Sequence, residues 1–335
     1  MKKTLCILLV SVMCLTLVLS GCGAVDASKL KAGLITSSLG LEDSYNSLVW
    51  SGLEKFAEES KLTIINGIAD DMTAATEVIT SFLAEDCNIV INCNEHINSN
   101  IVTLAASYPD TTFVLLNGVI ETDAPNVVVA ITKSEDAGFI AGYLATYKAS
   151  GSQLAFIGGQ QGDTTGTFYD GFRAGISEAG KSGATMPALE TGFAGAIPQE
   201  KSVTSFSERM FKNTDVLTTS LTGSAVTTAI NTAKSIGADK NVIAFDTAAS
   251  KDATDNTLFS LTRADDAVVY DIVKGICKGD IKGGSTQYYG YAEGKIAFDK
   301  AAAEKNIGKE AVDSLMKALD MVKSGEIKLV DRQVQ

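Results

Sequence analysis

Residues 31–68, KAGLITSSLGLEDSYNSLVWSGLEKFAEESKLTIINGI, carry the pattern that decides the fold class. An apolar run at 32–36 is followed by a helical pattern at 44–60, which keeps its apolar residues on one face. Asp43 is suited to cap that helix, and a second apolar run follows at 62–68. This strand–helix–strand unit predicts two parallel strands joined by a covering helix.

The same alternation continues along the chain and then begins again. Strand-like runs follow at 88–92, 113–116 and 127–131, and a second series extends from 153–157 to 242–245. Such alternation predicts parallel sheets with helices on both faces. The roughly 314 residues beyond the amino-terminal segment exceed one ordinary core, so we expect two lobes.

The amino-terminal segment has the features of a lipoprotein signal. Two lysines precede an apolar stretch at 5–19, which is too short for a comfortable membrane span. The stretch ends in Leu19-Ser20-Gly21-Cys22, which resembles the lipobox of bacterial lipoproteins. We therefore expect residues 1–21 to be removed, Cys22 to be lipidated and residues 22–30 to tether the protein to the outer face of the cell membrane. The alternative is an ordinary secretory signal with an incidental cysteine.

The remaining cysteines and the single histidine predict neither a disulfide framework nor a metal site. Cys87, Cys93 and Cys277 are odd in number beyond the signal and form no C-x-x-C pair. They are most simply small buried apolar residues. His96 has no second histidine to complete a metal site, and we expect it to be structural.

Charge and motif content argue against nucleic-acid binding and against several enzyme classes. The chain has 40 acidic and 28 basic side chains and a net charge of −12, whereas nucleic-acid phosphates require lysine and arginine. The glycine-rich stretch at 158–166 lacks the Lys-Ser/Thr of a P-loop and is interpreted as a strand-to-helix turn. The many carboxylates leave an acid–base pair open, but no spacing points to one. We predict a binding protein without a cofactor rather than an enzyme.

Polar residues recur where the predicted strands end. They follow the strands at 36–38, 92–94, Asn117, 219–220 and Asp246. Ligands of parallel α/β sheets bind beyond the carboxyl ends of the strands. Two lobes with such rims facing each other predict a hinged cleft for a small polar ligand.

Several segments resemble the basic membrane protein family, the substrate-binding lipoproteins of ABC transporters whose best-understood members bind purine nucleosides. Residues 32–53 resemble the opening of that family, and residues 135–143, 156–159, 169–175 and 289–294 match it further along. The resemblance covers nearly the whole mature chain, and its specificity comes from the order and spacing of the segments.

The resemblance implies the type I periplasmic-binding-protein fold, an α/β fold of two doubly wound parallel-sheet lobes joined by three crossover strands. Lobe 1 is expected to comprise 31–131 plus 264–288, and lobe 2 to comprise 132–263 plus 289–335. The crossovers are expected near 129–133, 259–263 and 287–293.

The resemblance also implies that two aromatic rings hold a nucleoside between them. The first is Tyr45, which is followed by Asn46, and the best match for the second is Phe193 on the other lobe. Flat bases stack well on such rings. The alternative for both aromatic residues is core packing.

Three further ligand-binding residues follow from the resemblance. Asp246 matches a carboxylate that accepts hydrogen bonds from the ribose hydroxyls, although it is also suited to cap a helix. Its basic partner falls on Arg263, where the family usually has lysine. Gly223 matches a glycine whose backbone approaches the ligand.

Two positions expected to contact the base depart from the family pattern. Ser37 and Asn117 stand where the family has aspartates. A hydroxyl and an amide donate as well as accept hydrogen bonds, so the ribose half of the site matches the family better than the base half. A purine nucleoside is the favoured ligand, and another base or a sugar stays open.

The resulting interpretation is a receptor for an ABC importer whose permease and ATPase are separate chains. A ligand sensor for a membrane signalling protein, a surface adhesin or antigen, and a nucleoside hydrolase are the alternatives. A nucleoside hydrolase, unlike a binding protein, would release products from inosine or guanosine.

Overall fold

The computed structural model describes residues 25–118, 120–149, 152–159, 163–195, 198–245 and 256–329. The described strands form two six-stranded sheets, which we call the sheets of lobe 1 and lobe 2. Within these residues no helix has the length and apolar character that a membrane span requires.

The lobe 1 sheet is entirely parallel, in the order β11-β5-β4-β3-β1-β2. Its strands are β1 (Lys31–Thr36), β2 (Thr63–Ile68), β3 (Ile89–Asn92), β4 (Thr112–Leu116), β5 (Val127–Thr132) and β11 (Ser285–Tyr289). The helices α1 (Ser44–Ser60), α2 (Met72–Ala84), α3 (Asn98–Ala105) and α8 (Asp265–Lys278) cover it, with α1 and α8 packed together on one face.

The lobe 2 sheet has the order β12-β10-β9-β8-β6-β7 and is parallel except for β12, which pairs antiparallel with β10. Its strands are β6 (Gln153–Gly158), β7 (Leu189–Phe193), β8 (Thr214–Thr219), β9 (Asn241–Phe245), β10 (Thr257–Arg263) and β12 (Ile296–Phe298). Its helices are α4 (Ser134–Ala149), α5 (Asp163–Lys181), α6 (Glu200–Met210), α7 (Gly223–Ile236), α9 (Lys300–Asn306) and α10 (Lys309–Ser324).

The chain passes between the two lobes three times. It leaves lobe 1 after β5 to enter α4, returns after β10 to enter α8, and leaves again after β11 to form β12. The first and third connections lie together, since the Lys133 N–H donates to the Tyr289 carbonyl at 2.8 Å. The predicted α/β class with two lobes of mainly parallel strands is confirmed.

Glycine brings α4 and α5 into close contact in lobe 2. A β-carbon at Gly138 or Gly142 would lie 2.0 Å from a carbonyl oxygen of α5, and one at Gly171 would lie 2.0 Å from a carbonyl oxygen of α4. The two backbones therefore approach more closely than any larger residue allows. Nearly every residue of α4 is buried as a result.

Candidate ligand-binding site

The loop between β1 and α1 forms the first wall of the candidate site. Asp43 caps α1, because its Oδ1 accepts hydrogen bonds from the backbone N–H groups of Tyr45 (2.9 Å) and Asn46 (3.0 Å). The cap fixes both predicted ligand residues in the first helical turn, beyond the carboxyl end of β1. The buried Asn46 amide donates to Ser37 Oγ at 3.1 Å and to the Gly40 carbonyl at 2.8 Å.

Cys93 also contacts the Asn46 side chain. Its Sγ lies 3.3 Å from Asn46 Oδ1 and 3.1 Å from the Ile35 carbonyl oxygen. Burial raises the pKa of the Cys93 thiol to about 12, so the sulfur keeps its proton and can donate it. The orientation of the Asn46 amide is therefore fixed from both ends.

Asn117 joins this wall from the end of β4. Its backbone adopts a φ of 61°, a left-handed conformation that asparagine tolerates better than most residues. The Asn117 amide nitrogen donates to the Tyr45 hydroxyl at 2.6 Å, and its oxygen accepts from the Thr132 N–H at 3.3 Å. Burial, with a smaller contribution from the Asp265 charge, raises the pKa of Tyr45 well above its ordinary value. The hydroxyl therefore stays neutral.

Arg263 reaches the same wall from the last residue of β10. Its guanidinium carbon lies 5.0 Å from the centre of the Tyr45 ring and 5.7 Å from that of the Phe245 ring, so the cation contacts one aromatic side chain of each lobe. Its Nε donates to Asp265 Oδ2 at 2.6 Å. Thr132 Oγ1 donates to the other oxygen of Asp265 at 3.4 Å. These contacts join the Tyr45–Asn117 pair to the second crossover.

The remaining described candidates lie on lobe 2. Phe193 ends β7, where its half-buried ring meets those of Phe156 and Tyr169 edge-on, with 6.3 Å between centres in each case. Gly223 begins α7 with a φ of 58°, a conformation that glycine adopts without strain. The structure thus brings Ser37, Tyr45, Asn46, Asn117 and Arg263 into one connected group, whereas the ring contacts of Phe193 with Phe156 and Tyr169 stay within lobe 2.

Two predicted residues, Asp246 and Cys22, lie outside the described residues. Within the described part of the chain, no cluster of three or more histidine, cysteine or carboxylate side chains is arranged to hold a metal ion.

Four residues of the group were missed by the sequence reasoning. They are Cys93, Thr132, Phe245 and Asp265. Phe245 directly precedes Asp246 at a strand end, and Asp265 lies two residues after Arg263. A search for polar residues that also included the start of the next helix would have found Asp265. Nothing in the sequence distinguishes Cys93 or Phe245 from core residues.

Comparison with known proteins identifies related substrate-binding proteins. A family described as "ABC transporter substrate-binding protein PnrA-like" matches residues 29–333. An "ABC transporter nucleoside-binding protein BmpA" of Lactococcus lactis is 25% identical over 86% of this chain and 89% of its own. "Basic membrane protein A" of Borreliella burgdorferi is 23% identical over 89% of this chain and 86% of its own.

A solved structure is similar in fold. The crystal structure of an ABC transporter solute-binding protein from Aeropyrum pernix superposes with a TM-score of 0.72 at 18% identity, covering 91% of this chain and 94% of that one. Since the family match spans almost all of the described residues, the chain belongs to the family of PnrA-like ABC transporter substrate-binding proteins.

Proposed function

We propose that this protein is a lipid-anchored receptor that binds a nucleoside, with purines favoured, outside the cell membrane and delivers it to an ABC importer. The observation that carries the proposal is the connected group of Tyr45, Asn46, Asn117 and Arg263 at the junction of the lobes. It offers an aromatic face, the side-chain amide of Asn117 and a cation, while the buried Asn46 amide holds the loop beside Tyr45. These groups match the flat ring, the polar edge and the hydroxyls of a nucleoside. The name of the Lactococcus relative supports the same ligand class.

Closure of the two lobes is the proposed mechanism. We place the divisions at 131/132, 263/264 and 288/289, so that 31–131 plus 264–288 moves against 132–263 plus 289–335. Thr132 and Tyr289, the last residues of the lobe 1 strands β5 and β11, then lie at the hinge. The ligand shifts the population toward a closed form, since only that form contacts it from both sides. Closure also excludes water and strengthens the polar contacts around the ligand. The permease and the ATPase are separate chains in this proposal.

The proposed site contains Ser37, Tyr45, Asn46, Asn117, Phe193, Gly223, Asp246 and Arg263. Ser37 and Asn117 face the base, where the amide of Asn117 presents both a donor and an acceptor. Asp246 and Arg263 serve the ribose, and Phe193 supplies the second ring. The contacts of Phe193 with Phe156 and Tyr169 leave a core role as the competing interpretation of that residue.

A ligand screen tests the proposal directly. The lipid-free chain is screened by thermal shift and calorimetry against inosine, guanosine, adenosine, cytidine, uridine, the free bases and ribose. A ligand at a thousandfold excess over its Kd stabilises the fold by about 4 kcal/mol, which is readily measured. We expect a purine nucleoside to give the largest shift and to be recovered intact. Stabilisation by ribose or a free base alone, or hydrolysis of inosine, contradicts the proposal.

Single substitutions separate ligand contacts from packing. Tyr45→Ala should weaken nucleoside binding by about 2 kcal/mol, within the range for a lost stacking face. The matched control is Tyr270→Ala, because Tyr270 lies on α8 beside Phe56 and hydrogen-bonds Glu59. Phe193→Ala should also weaken binding. If it lowers only the free energy of unfolding, Phe193 is a core residue and Phe245 is the second ring to test.

The lipid anchor is a separate part of the proposal. Cleavage before Cys22 and acylation of its thiol would hold the chain at the membrane through residues 22–30. Cys22→Ala should abolish incorporation of labelled palmitate and release the protein from the membrane fraction. Unchanged labelling of that variant contradicts lipidation at Cys22.

A further inference from the structure

Three exposed apolar side chains lie together at one end of lobe 1. Leu39 is 59% exposed, Ile68 48% and Met72 41%, which makes them three of the seven large apolar residues exposed within the described residues. Ile68 ends β2, the edge strand farthest from β5 and β11, from which the chain crosses to lobe 2. The carboxyl end of β2 therefore lies at the mouth of the cleft rather than at its hinge.

Local contacts hold these residues as one surface, which we call the mouth patch (Leu39, Ile68 and Met72). The Ser38 N–H donates to Asp70 Oδ1 at 2.9 Å, which ties the β1–α1 loop to the segment after β2. A β-carbon at Gly40 would lie 3.2 Å from Ile68 Cδ1, so Gly40 lies close to the end of β2. Leu39 is therefore held between two neighbours, Ser38 and Gly40, that both approach the β2 segment. An ordered apolar cluster kept in solvent is typical of an interaction site.

The charge around the mouth patch defines the partner. Glu42, Asp70 and Asp71 are exposed beside it. This surface therefore fits a partner that combines apolar side chains with positive charge.

The same loop connects the mouth patch to the cleft. The Asn46 amide holds the loop from inside through Ser37 Oγ and the Gly40 carbonyl, while Leu39 faces outward between those two residues. The loop that carries Leu39 is therefore held from inside by a residue of the candidate site.

We propose that the mouth patch, with Glu42, Asp70 and Asp71, docks on a basic and partly apolar extracytoplasmic surface of the importer's membrane subunit. This inference rests on the proposed role as an importer receptor. It does not depend on the identity of the ligand.

The test is saturable binding of the lipid-free chain, labelled at its amino terminus, to membrane vesicles from source cells that lack the protein. The triple variant Leu39→Ser, Ile68→Ser, Met72→Ser removes the apolar surface. The double variant Asp70→Asn, Asp71→Asn removes charge but keeps the oxygens that accept from Ser38 and Ala74. The control is Met186→Ser, Ile236→Ser, because Met186 and Ile236 are exposed apolar residues of lobe 2.

We expect the triple variant to lose at least about tenfold in membrane affinity, with a smaller loss for the asparagine variant and none for the control. High salt should weaken binding of the wild type and have less effect on the asparagine variant. Calorimetry with guanosine and inosine is run on the same proteins. If membrane binding depends on the mouth patch but the protein binds neither nucleoside, docking is supported and only the proposed ligand is contradicted.

Several outcomes overturn the inference. One is the absence of saturable binding by the wild type, and another is equal binding by the triple variant. A parallel loss of nucleoside affinity in the triple variant would assign the patch to contact between the lobes. A wild-type dimer in sedimentation that the triple variant abolishes would assign it to a second copy of this chain.

Discussion

Two buried carboxylates occupy equivalent places in the two lobes but have different partners. Asp136 and Asp265 each lie in the first turn of the helix that follows a crossover, and they are 5% and 4% exposed. Asp265 is paired with the Arg263 guanidinium at 2.6 Å. Asp136 accepts a hydrogen bond from the Tyr291 N–H at 2.8 Å.

The charged groups around Asp136 are mostly acidic. Glu135 and Glu293 oppose its ionisation, whereas Lys133 favours it and itself lies 3.6 Å from Glu293. Burial is the main cause that raises the pKa of Asp136 to about 6, although the Tyr291 N–H lowers it. The difference teaches that burial among mainly acidic neighbours raises the pKa of a carboxylate at one crossover, whereas the carboxylate at the other crossover has a directly paired cation.

The largest effect is expected at the paired carboxylate. Asp265→Ala leaves the Arg263 cation at a largely buried site without its 2.6 Å partner, which should lower the free energy of unfolding by about 3 kcal/mol. Urea denaturation at pH 7 measures this change. Asp266→Ala in the same helical turn controls for loss of an acidic residue near the helix amino terminus, and we expect it to cost about 0.5 kcal/mol. Equal losses of unfolding free energy for the two variants would show that the ion pair with Arg263 does not account for the effect of Asp265→Ala.

The second effect concerns the dependence of stability on pH. Because the pKa of Asp136 is raised to about 6 from 3.8, the folded protein binds this proton more tightly than the unfolded chain does. Its contribution to stability is therefore complete below pH 4 and is lost as the pH rises through 6. Asp136→Asn keeps an acceptor for Tyr291 and should stabilise the protein by up to about 3 kcal/mol at pH 8, with the gain vanishing near pH 4.

Urea denaturation of the Asp136→Asn variant and the wild type at pH 8, 6 and 4 tests this dependence. Asp265→Asn provides the contrast, since it should destabilise the protein at pH 8. A gain for Asp136→Asn that stays constant with pH would mean that its origin is not ionisation.

The smallest effect is expected at Tyr45, which contacts both Asn117 and the paired Arg263 in the candidate site. Tyr45→Phe keeps the ring beside Arg263 but removes the hydroxyl that accepts from Asn117. We expect nucleoside affinity to fall by about 1 kcal/mol, or roughly fivefold, because the Asn117 amide loses a partner that holds it in place. Calorimetry measures the change. An unchanged affinity would show that the Arg263 side of the group, rather than Asn117, positions the Tyr45 ring.

The sequence predicted the parallel lobes well, because strand–helix alternation is a local signal that parallel sheets require. The alternation does not identify α4 as a helix, although residues 135–143 resemble the family. Helix α4 is buried on almost all sides by its glycine contacts with α5, so it lacks the one-sided apolar pattern that reveals a surface helix. The short antiparallel β12 was also missed, since three residues carry no periodic signal.

For the candidate site, the sequence predicted the residues at strand ends better than their partners. Ser37, Tyr45, Asn46, Asn117 and Arg263 were selected and prove to be neighbours. Two of their links, from Asn46 to Cys93 and from Thr132 to Asp265, join residues 47 and 133 positions apart in sequence. Such long-range links depend on how the lobes pack, and no local pattern encodes them.

The buried thiols make the proposed lobe movement accessible to measurement. Burial raises the pKa of Cys87 to about 11 and of Cys93 to about 12, and it also raises the pKa of Cys277. Near neutral pH these thiols hold almost no reactive thiolate. In a soluble form that begins after Cys22, a cysteine introduced on each lobe can therefore be coupled to a maleimide dye without removing the native ones. The distance between two such dyes would report opening and closing in real time.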